Sequence, residues 1–438
     1  MKAAVLSGWG RVPVVPGVEI RSENLEQLTR NLPLARGLGR AYGDAALPAP
    51  GDLKIAGTSL ADRILAFDQE TGLLTAEAGL SLDHICRVFL PRGFFTPVTP
   101  GTRFVTVGGM VAADVHGKNH HRDGCFGEHV VSLKVRVGDG RIVSCSRTEH
   151  EDLFRATIGG MGLTGPILEV TFSLSKVPSP WIYEERRCIS GIDEFLEALE
   201  TAAVAWPMTV GWVDALSRGG ELGRGVLFCG RWAKAEEAPR YSPPLLPQVE
   251  VPFNFPDFAP SRLLVRAFNA VTWRRYCAAA RNSIVHPYTY FYPLDQIGQW
   301  TRLYGRRGFI QYQCVFPRAA GPHIVRECMS LLTRKGGAFL GVIKDCGPEG
   351  LGMLSFPMRG ISLALDIPMS DGTQSLVDAL NELVISAGGR IYLAKDALTR
   401  RQHFRAMDPR LDAFLAVRER WDPQRRIRSA QSVRLFGW

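Results

Sequence analysis

Apolar and polar residues alternate along the first 178 positions in short runs broken by glycine. The apolar run at 64–67 and residues 73–78 flank the turn Glu70-Thr71-Gly72 and predict a β-hairpin. A second hairpin is predicted where 130–137 alternates, Gly138-Asp139-Gly140 reverses the chain and 142–144 returns. Ser81 precedes Leu82, Ile85, Val88 and Phe89, which share one helical face up to Pro91 and Gly93, so a capped helix is expected. A brief apolar run at 53–55, a short helix over 152–157 and a strand over 167–174 complete this part. The texture then changes at Val177-Pro178-Ser179-Pro180. Strands are predicted over 208–213, 225–229, 309–316, 339–343 and 362–367, with helices over 322–334 and 374–385. Between 239 and 260, Pro243, Pro244, Pro247, Pro252, Pro256 and Pro260 predict a long irregular loop, of the kind that is functional or mobile. A basic helix over 261–281 follows, with Arg262, Arg266, Arg274, Arg275 and Arg281. The final stretch, 392–438, reads as charged and helical, and no internal repeat is present.

Composition narrows the class. The length of 438 residues favours two domains or one with an insertion. With 46% hydrophobic and 22% charged residues, disorder and fibrous repeats are excluded. No run of about 18 apolar residues occurs, so no membrane-spanning helix is expected. The opening MKAAVLSGWGR carries no apolar run long enough for a secretory leader, and a cytoplasmic location is expected. The net charge of +9 suits an anionic partner such as a phosphorylated substrate, a cofactor pyrophosphate or an acidic lipid surface. No RNA-recognition, helix-turn-helix or zinc-finger pattern is visible, so no nucleic-acid partner is expected. The nine cysteines form no CxxC pair; unpaired thiols serving as small core residues in a reducing compartment are expected.

Four segments carry candidate chemistry. Arg36-Gly37-Leu38-Gly39-Arg40-Ala41-Tyr42-Gly43-Asp44 offers closely spaced glycines whose N–H groups suit an anion, with charge added by two arginines; a plain tight turn is the alternative. Pro100-Gly101-Thr102 leads through Thr106-Val107-Gly108-Gly109 and Ala113 to His116-Gly117-Lys118-Asn119-His120-His121, where small residues suggest backbone lying against a flat ligand. Three histidines there invite a metal, but no acidic or cysteine ligand stands at a typical spacing; packed loop histidines are the plainer reading and no metal is expected. Gly160-Met161-Gly162-Leu163-Thr164-Gly165 matches GxGxxG, yet a helix precedes it and a strand follows, the reverse of a nicotinamide site. Lys395, after the apolar Tyr392-Leu393-Ala394, and Lys344 end otherwise apolar segments. Gln311 and Gln313 share one strand face, as a polar cavity wall requires.

These segments, together with Leu6-Ser7-Gly8-Trp9-Gly10-Arg11 and residues 265–269, 292–295, 303–305 and 356–358, occur in order and resemble the decaprenylphosphoryl-β-D-ribose 2′-oxidase family. That family lies within the vanillyl-alcohol-oxidase class of FAD flavoproteins. The resemblance implies an α+β, two-domain fold of that class. Residues 1–178 and 391–438 would form the FAD-binding part. A substrate domain at 179–390, built on an antiparallel sheet, would carry a mobile loop at about 235–282. It assigns FAD contacts to residues 36–42, Pro100, Gly101, Thr102, Thr106, Gly108, Gly109, Ala113, His116, Gly117, Asn119, Gly160, Gly162, Ile167 and Tyr392. No histidine occurs at 36–44, so FAD is expected to be non-covalent. Lys395 and His116 are implied as catalytic, with the choice of base open. Tyr42, Gln311, Gln313, Lys344, Ser362, Ala364 and Lys395 are implied to face substrate.

The implied reaction oxidises the 2′-hydroxyl of a polyprenyl-phosphate-linked ribose, with hydride passing to the flavin. An NAD-dependent short-chain reductase completes the epimerisation in that family. The arginines of 239–281 are suited to anionic headgroups at the inner face of the plasma membrane. Ala364 stands where mycobacterial members have a cysteine, so thiol-trapping nitro-aromatics are expected to fail; Ser362 stands in place of an asparagine. A soluble sugar-lactone or alditol oxidase of the same class is the alternative.

Overall fold

Both predicted hairpins form, and one strand joins them. Ile64–Phe67 pairs with Leu73–Glu77 and Val130–Arg136 with Ile142–Ser146, while Ile167–Ser173 lies between the hairpins in a five-stranded antiparallel sheet. Ser81 accepts a hydrogen bond from the His84 N–H and caps helix Leu82–Phe89, whose Leu82, Ile85 and Phe89 are buried in the core of that sheet. A small parallel sheet of Val18–Arg21, Lys54–Gly57 and Ala35–Arg36 delivers the chain into the glycine-rich segment that starts at Gly37. The structure, a computed structural model, describes residues 4–244, 246–256, 261–279 and 281–437. The first three residues of MKAAVLSGWGR lie outside them, as do positions 245, 257–260 (with Pro260) and 280 of the predicted loop and basic helix, and residue 438.

An eight-stranded antiparallel sheet holds the rest. Its order is Asn282–Val285, Ile182–Ile189, Gly225–Trp232, Met208–Val213, Leu340–Cys346, Gly360–Pro368, Phe309–Pro317 and Arg390–Ile391. Side-chain alternation splits it into two unlike faces. Ile310, Tyr312, Cys314, Ile343, Leu363 and Leu365 pack with Phe195, Leu199, Met329, Leu332, Val377 and Leu380 of helices Ile192–Ala205, Pro322–Lys335 and Thr373–Ser386. The opposite face carries Gln311, Gln313, Lys344, Ser362, Ala364 and Asp366, placed side by side by register: Gln313 faces Ala364, Gln311 faces Asp366, and Lys344 faces Ser362. Segregated helices and antiparallel sheets give the expected α+β class.

The C-terminal stretch is helical only over Arg401–Met407, Leu411–Trp421 and Ala430–Phe436. It packs on the N-terminal part: the Trp421 indole N–H donates to Asp152 at 3.1 Å and the Gly138 N–H donates to the Trp421 carbonyl at 3.0 Å. No helix among the described residues is long and apolar enough to cross a membrane.

Several elements were hidden from periodicity. Strand Ile182–Ile189 carries Glu184, Glu185, Arg186 and Arg187 in its middle, where two ion pairs (Arg186–Glu184 at 2.5 Å, Arg187–Glu185 at 2.7 Å) take the place of apolar alternation. Gly108 and Gly109, expected to lay backbone against a flat ligand, lie in helix Val107–Ala112, which Thr106 caps. The cysteine expectation fails for one pair. Cys188 of that charged strand and Cys277 of helix Arg262–Ala278 form a disulfide across a sequence separation of 89. Spacing along the chain does not reveal it, because the two residues meet only once the helix lies across the sheet. The other seven thiols are free and buried, as expected of core residues.

This disulfide yields a direct count. Protein unfolded without reductant should titrate seven thiols, and nine after reduction. A loop of this length is worth roughly 4 kcal/mol in unfolded-state entropy, so reduction should lower the denaturation midpoint. Nine thiols before reduction would refute the pairing.

Candidate active site

The chain leaves strand Ala35–Arg36 through a crowded gap, where a Cβ on Gly37 would collide with Thr106 Oγ1 and Gly39 takes φ of +65°. From Gly37 to Ala41 the backbone N–H groups find no acceptor among the described residues. Such a run of free N–H groups is a nest for an anion. The buried Thr58 hydroxyl, just past strand Lys54–Gly57, is also without a partner. The two arginines expected to add charge are turned elsewhere. Arg36 donates to the Ser7 and Ala46 carbonyls at 2.9 and 3.1 Å and lies 3.5 Å from Glu19. Arg40 stacks 3.7 Å over Trp9 and donates to the Phe104 carbonyl. The anion cradle is therefore made by backbone.

Other predicted cofactor residues build the walls. Beyond Pro100 and Gly101, the Thr102 hydroxyl donates to Asp295 at 2.7 Å, beside the Arg103 N–H at 2.8 Å. Asn119 donates to the Pro97 carbonyl at 2.7 Å, and Gly117 passes so close to the Thr99 carbonyl that a Cβ would meet it at 2.9 Å. The Gly160–Gly162 turn docks on the end of helix Val107–Ala112 through Met161 N–H to the Ala112 carbonyl at 2.8 Å, and Ile167 is buried at the start of its strand.

The candidate catalytic and substrate residues converge on the polar face of the large sheet. Gln313 donates to His116 Nε2 at 2.9 Å and to the Ser362 hydroxyl at 3.3 Å. The Tyr392 N–H donates to the Gln313 carbonyl, its hydroxyl donates to the Ala113 carbonyl at 2.9 Å, and its ring lies 5.1 Å from that of His116. Lys395 sits in the turn that follows, its Nζ 4.1 Å from the Tyr42 ring centroid, with no hydrogen bond or ion pair among the described residues. The three histidines part ways. His120 Nδ1 accepts the Gly347 N–H at 3.0 Å, His121 Nε2 contacts the Trp206 carbonyl, and His116 joins Gln313.

Residues not singled out from sequence complete the site. Asp366 accepts from Gln311 at 2.5 Å and from the Tyr304 hydroxyl at 3.2 Å. Its position two residues beyond Ala364, on the same strand face, was the available signal; Tyr304 lay in the 303–305 segment of the resemblance, with no role attached to it. The Lys395 turn is tied to the glycine segment by Arg434, which bonds buried Asp44 at 2.6 Å, buried Asp396 at 2.8 Å and the Thr399 carbonyl at 2.5 Å. The Tyr42 N–H also donates to the Ala394 carbonyl at 2.9 Å.

Burial governs the charges here. It pushes Lys395 down to about 7, with Asp366 acting upward and Lys344 downward. It pushes Asp366 up to about 6, opposed by Gln311, Lys395 and Tyr304. His116 is held well below the usual histidine range by burial and by the charges of Lys344, His120 and Lys395. His116 is therefore neutral at pH 7. With Nε2 accepting from Gln313, its proton lies on Nδ1, a buried donor without a partner.

A family profile described as an FAD binding domain matches residues 29–146. The chain is 35% identical to decaprenylphosphoryl-β-D-ribose oxidase of Mycolicibacterium smegmatis, over 98% of this chain and 97% of that protein. It is 32% identical to an uncharacterized protein of Streptomyces coelicolor over 78% of this chain and 96% of that one. A putative D-arabinono-1,4-lactone oxidase of Neurospora crassa is 27% identical over 37% of this chain and 30% of its own length. The acceptor-free amides of 37–41 fall inside the matched span and fit the diphosphate of FAD, and the unpartnered His116 Nδ1 fits a polar ring edge.

Arg434 offers the direct test of this architecture. Arg434→Met leaves two buried carboxylates facing each other and should cost about 3 kcal/mol in denaturant unfolding, with weaker flavin retention. Unchanged unfolding and retention would show that the ion cluster does not hold the two segments together.

Proposed function

This chain belongs to the decaprenylphosphoryl-β-D-ribose oxidase family and is an FAD-dependent oxidoreductase; from that premise we propose that it oxidises the 2′-hydroxyl of a polyprenyl-phosphate-linked pentose to a keto sugar. The observation that carries the reading is the half-buried Lys395 amine, left without a hydrogen bond or ion pair among the described residues beside the polar face that carries Gln311, Gln313, Ser362 and Asp366. Residues 1–178 with 391–438 serve as the FAD unit and 179–390 as the substrate unit. FAD, when bound at the 37–41 amides and beside His116, supplies the acceptor for the hydride leaving the sugar carbon.

Lys395 is the base. Its depressed proton affinity leaves much of it as free amine near pH 7, able to accept the hydroxyl proton. His116 is unsuited to that step, since one ring nitrogen already accepts from Gln313 and the other carries its proton; it acts as a donor. Tyr42 holds the Lys395 head, and Asp366 fixes Gln311 so that its amide meets the sugar in one orientation. The Tyr42 face also stabilises the ammonium that Lys395 becomes.

The keto sugar then passes to an NAD-dependent short-chain reductase. The lipid is reached from the inner membrane face, where helix Arg262–Ala278 exposes Leu263, Leu264, Phe268 and Val271 beside its arginines. Exposed apolar and cationic side chains on one helix suit an anionic lipid surface. The lactone-oxidase alternative has the weaker support, because that likeness covers only 37% of the chain.

Anaerobic mixing with a short-chain polyprenyl-phosphoryl ribose should bleach the flavin band in proportion to substrate. The rate should rise with pH through about 7 as Lys395 loses its proton, then level off. Lys395→Met should keep FAD, lose that limb and slow by about 10²- to 10⁴-fold. A normal rate in the variant would remove the base assignment, and bleaching by free alditols alone would favour the alternative. Acid precipitation should release flavin to the supernatant; a yellow pellet would reveal a covalent link.

A further inference from the structure

Helix Arg262–Ala278 is attached to the large sheet by a narrow seam. Val265, Asn269, Trp273 and Tyr276 share one face at helical spacing, yet of its 17 residues only Val265 and Asn269 are buried. Asn269 donates to Asp214 at 2.8 Å, while its own Oδ1 and the indole N–H of Trp273 are buried without a partner. Asp214 does not depend on this contact, because Arg224 lies 3.2 Å away and the Leu216 N–H also donates to it. At the helix start, Arg262 donates to the Thr333 and Gly336 carbonyls at 2.8 and 3.0 Å from an exposed position. Ring contacts add Phe228 against Tyr276 at 5.3 Å and Phe268 against Phe339 at 6.1 Å. Unmade buried hydrogen bonds oppose docking, and two buried side chains favour it only modestly. The covalent fastening is the Cys188–Cys277 disulfide. Both of its cysteines are exposed, whereas the other seven thiols are buried. Arg274, one turn before Cys277, and Arg281, just past the helix, are exposed, and their side chains make no hydrogen bond or ion pair among the described residues. Solvent access and nearby positive charge favour attack by an anionic thiol.

We propose that the Cys188–Cys277 bond is an exchange site for a small anionic thiol of the glutathione type, and that its state decides whether helix Arg262–Ala278 stays docked. The incoming thiolate attacks one sulfur, forms a mixed disulfide and expels the other cysteine as a thiolate. A second small thiol then displaces the remaining cysteine. Two cysteine thiols and one molecule of the small disulfide result, so the protein gains two electrons and two protons from the small thiols. What opens is local, because strand Asn282–Val285 beyond the helix remains paired with Ile182–Glu185. Undocking takes Phe268 off Phe339, whose ring also meets Tyr304 at 5.2 Å in the aromatic cluster that holds Tyr42. The redox state thus sets the cover on one flank of the site. This device is independent of which sugar is oxidised.

The folded, FAD-loaded full chain is treated with reduced glutathione and then alkylated without denaturant. Peptide mass mapping should find label on Cys188 and Cys277 and none on the seven buried thiols. Trypsin should then cut after Arg266, Arg274 and Arg275 about tenfold or more faster than in the oxidised protein, since locally opened segments are the ones proteases reach. Cutting after Arg141, in the hairpin at 130–146 of the other sheet, should not change. Cys277→Ser and Cys188→Ser should each be cut at the fast rate with or without glutathione, which separates helix release from any other action of the thiol. Absence of label on the two cysteines in folded protein, label on all nine together, or equal cutting of oxidised, reduced and variant protein overturns the proposal. A matching rise at Arg141 also overturns it, because the whole fold would then have loosened.

Discussion

One guanidinium holds the two ends of the chain in register. Arg434, in the last helix, bonds Asp44 after the glycine segment and Asp396 beside Lys395, and the Thr399 carbonyl closes the set. The fit leaves no slack at Gly43, where a Cβ would collide with the Asp396 carbonyl. Burial pushes Asp44 upward, and only the opposed Arg434 charge makes two buried carboxylates tolerable there. Because Tyr42 lies one residue before Gly43 and Lys395 one before Asp396, this cluster also sets the lysine against the ring. The anion cradle and the proposed base are thus positioned by the same interaction.

The large sheet supplies the second constraint. Its helix-covered face is mainly apolar, and that backing allows the other face to carry glutamines, a serine, an aspartate and a lysine in fixed register. The Gln313–His116 and Gln311–Asp366 bonds convert register into fixed donors and acceptors. Side chains supported in this way are pre-organised for a polar ligand. The disulfide between Cys188 and Cys277 fastens helix Arg262–Ala278 to a strand of the same sheet.

Burial and charge divide the site into two regions. Near Tyr42, Lys395 and Asp366 titrate close to neutrality and suit proton movement. Toward Gly347, Lys344, Lys118 and His120 gather cationic and donor groups, with Glu184 the acidic residue acting on Lys118.

Local pattern determined the hairpins at 64–77 and 130–146, the Ser81-capped helix and five of the eight strands of the large sheet, because alternation and capping are short-range effects. The glycine spacing at 37–43 and the shared face of Gln311 and Gln313 were likewise legible from neighbours in the chain. Strand Ile182–Ile189 was not, since its central positions are charged and satisfied by ion pairs rather than apolar contacts. Nor were the Cys188–Cys277 disulfide, the Arg434 cluster, the role of Tyr304 or the unpartnered donor on His120. Each depends on residues from 35 to 390 positions apart, or on which ring nitrogen a distant amide occupies. The sequence by itself determined which segments alternate, turn and carry reactive side chains. Only the tertiary structure decided which of those side chains meet, which are desolvated and which remain without a partner, because contact and burial are properties of the packed chain.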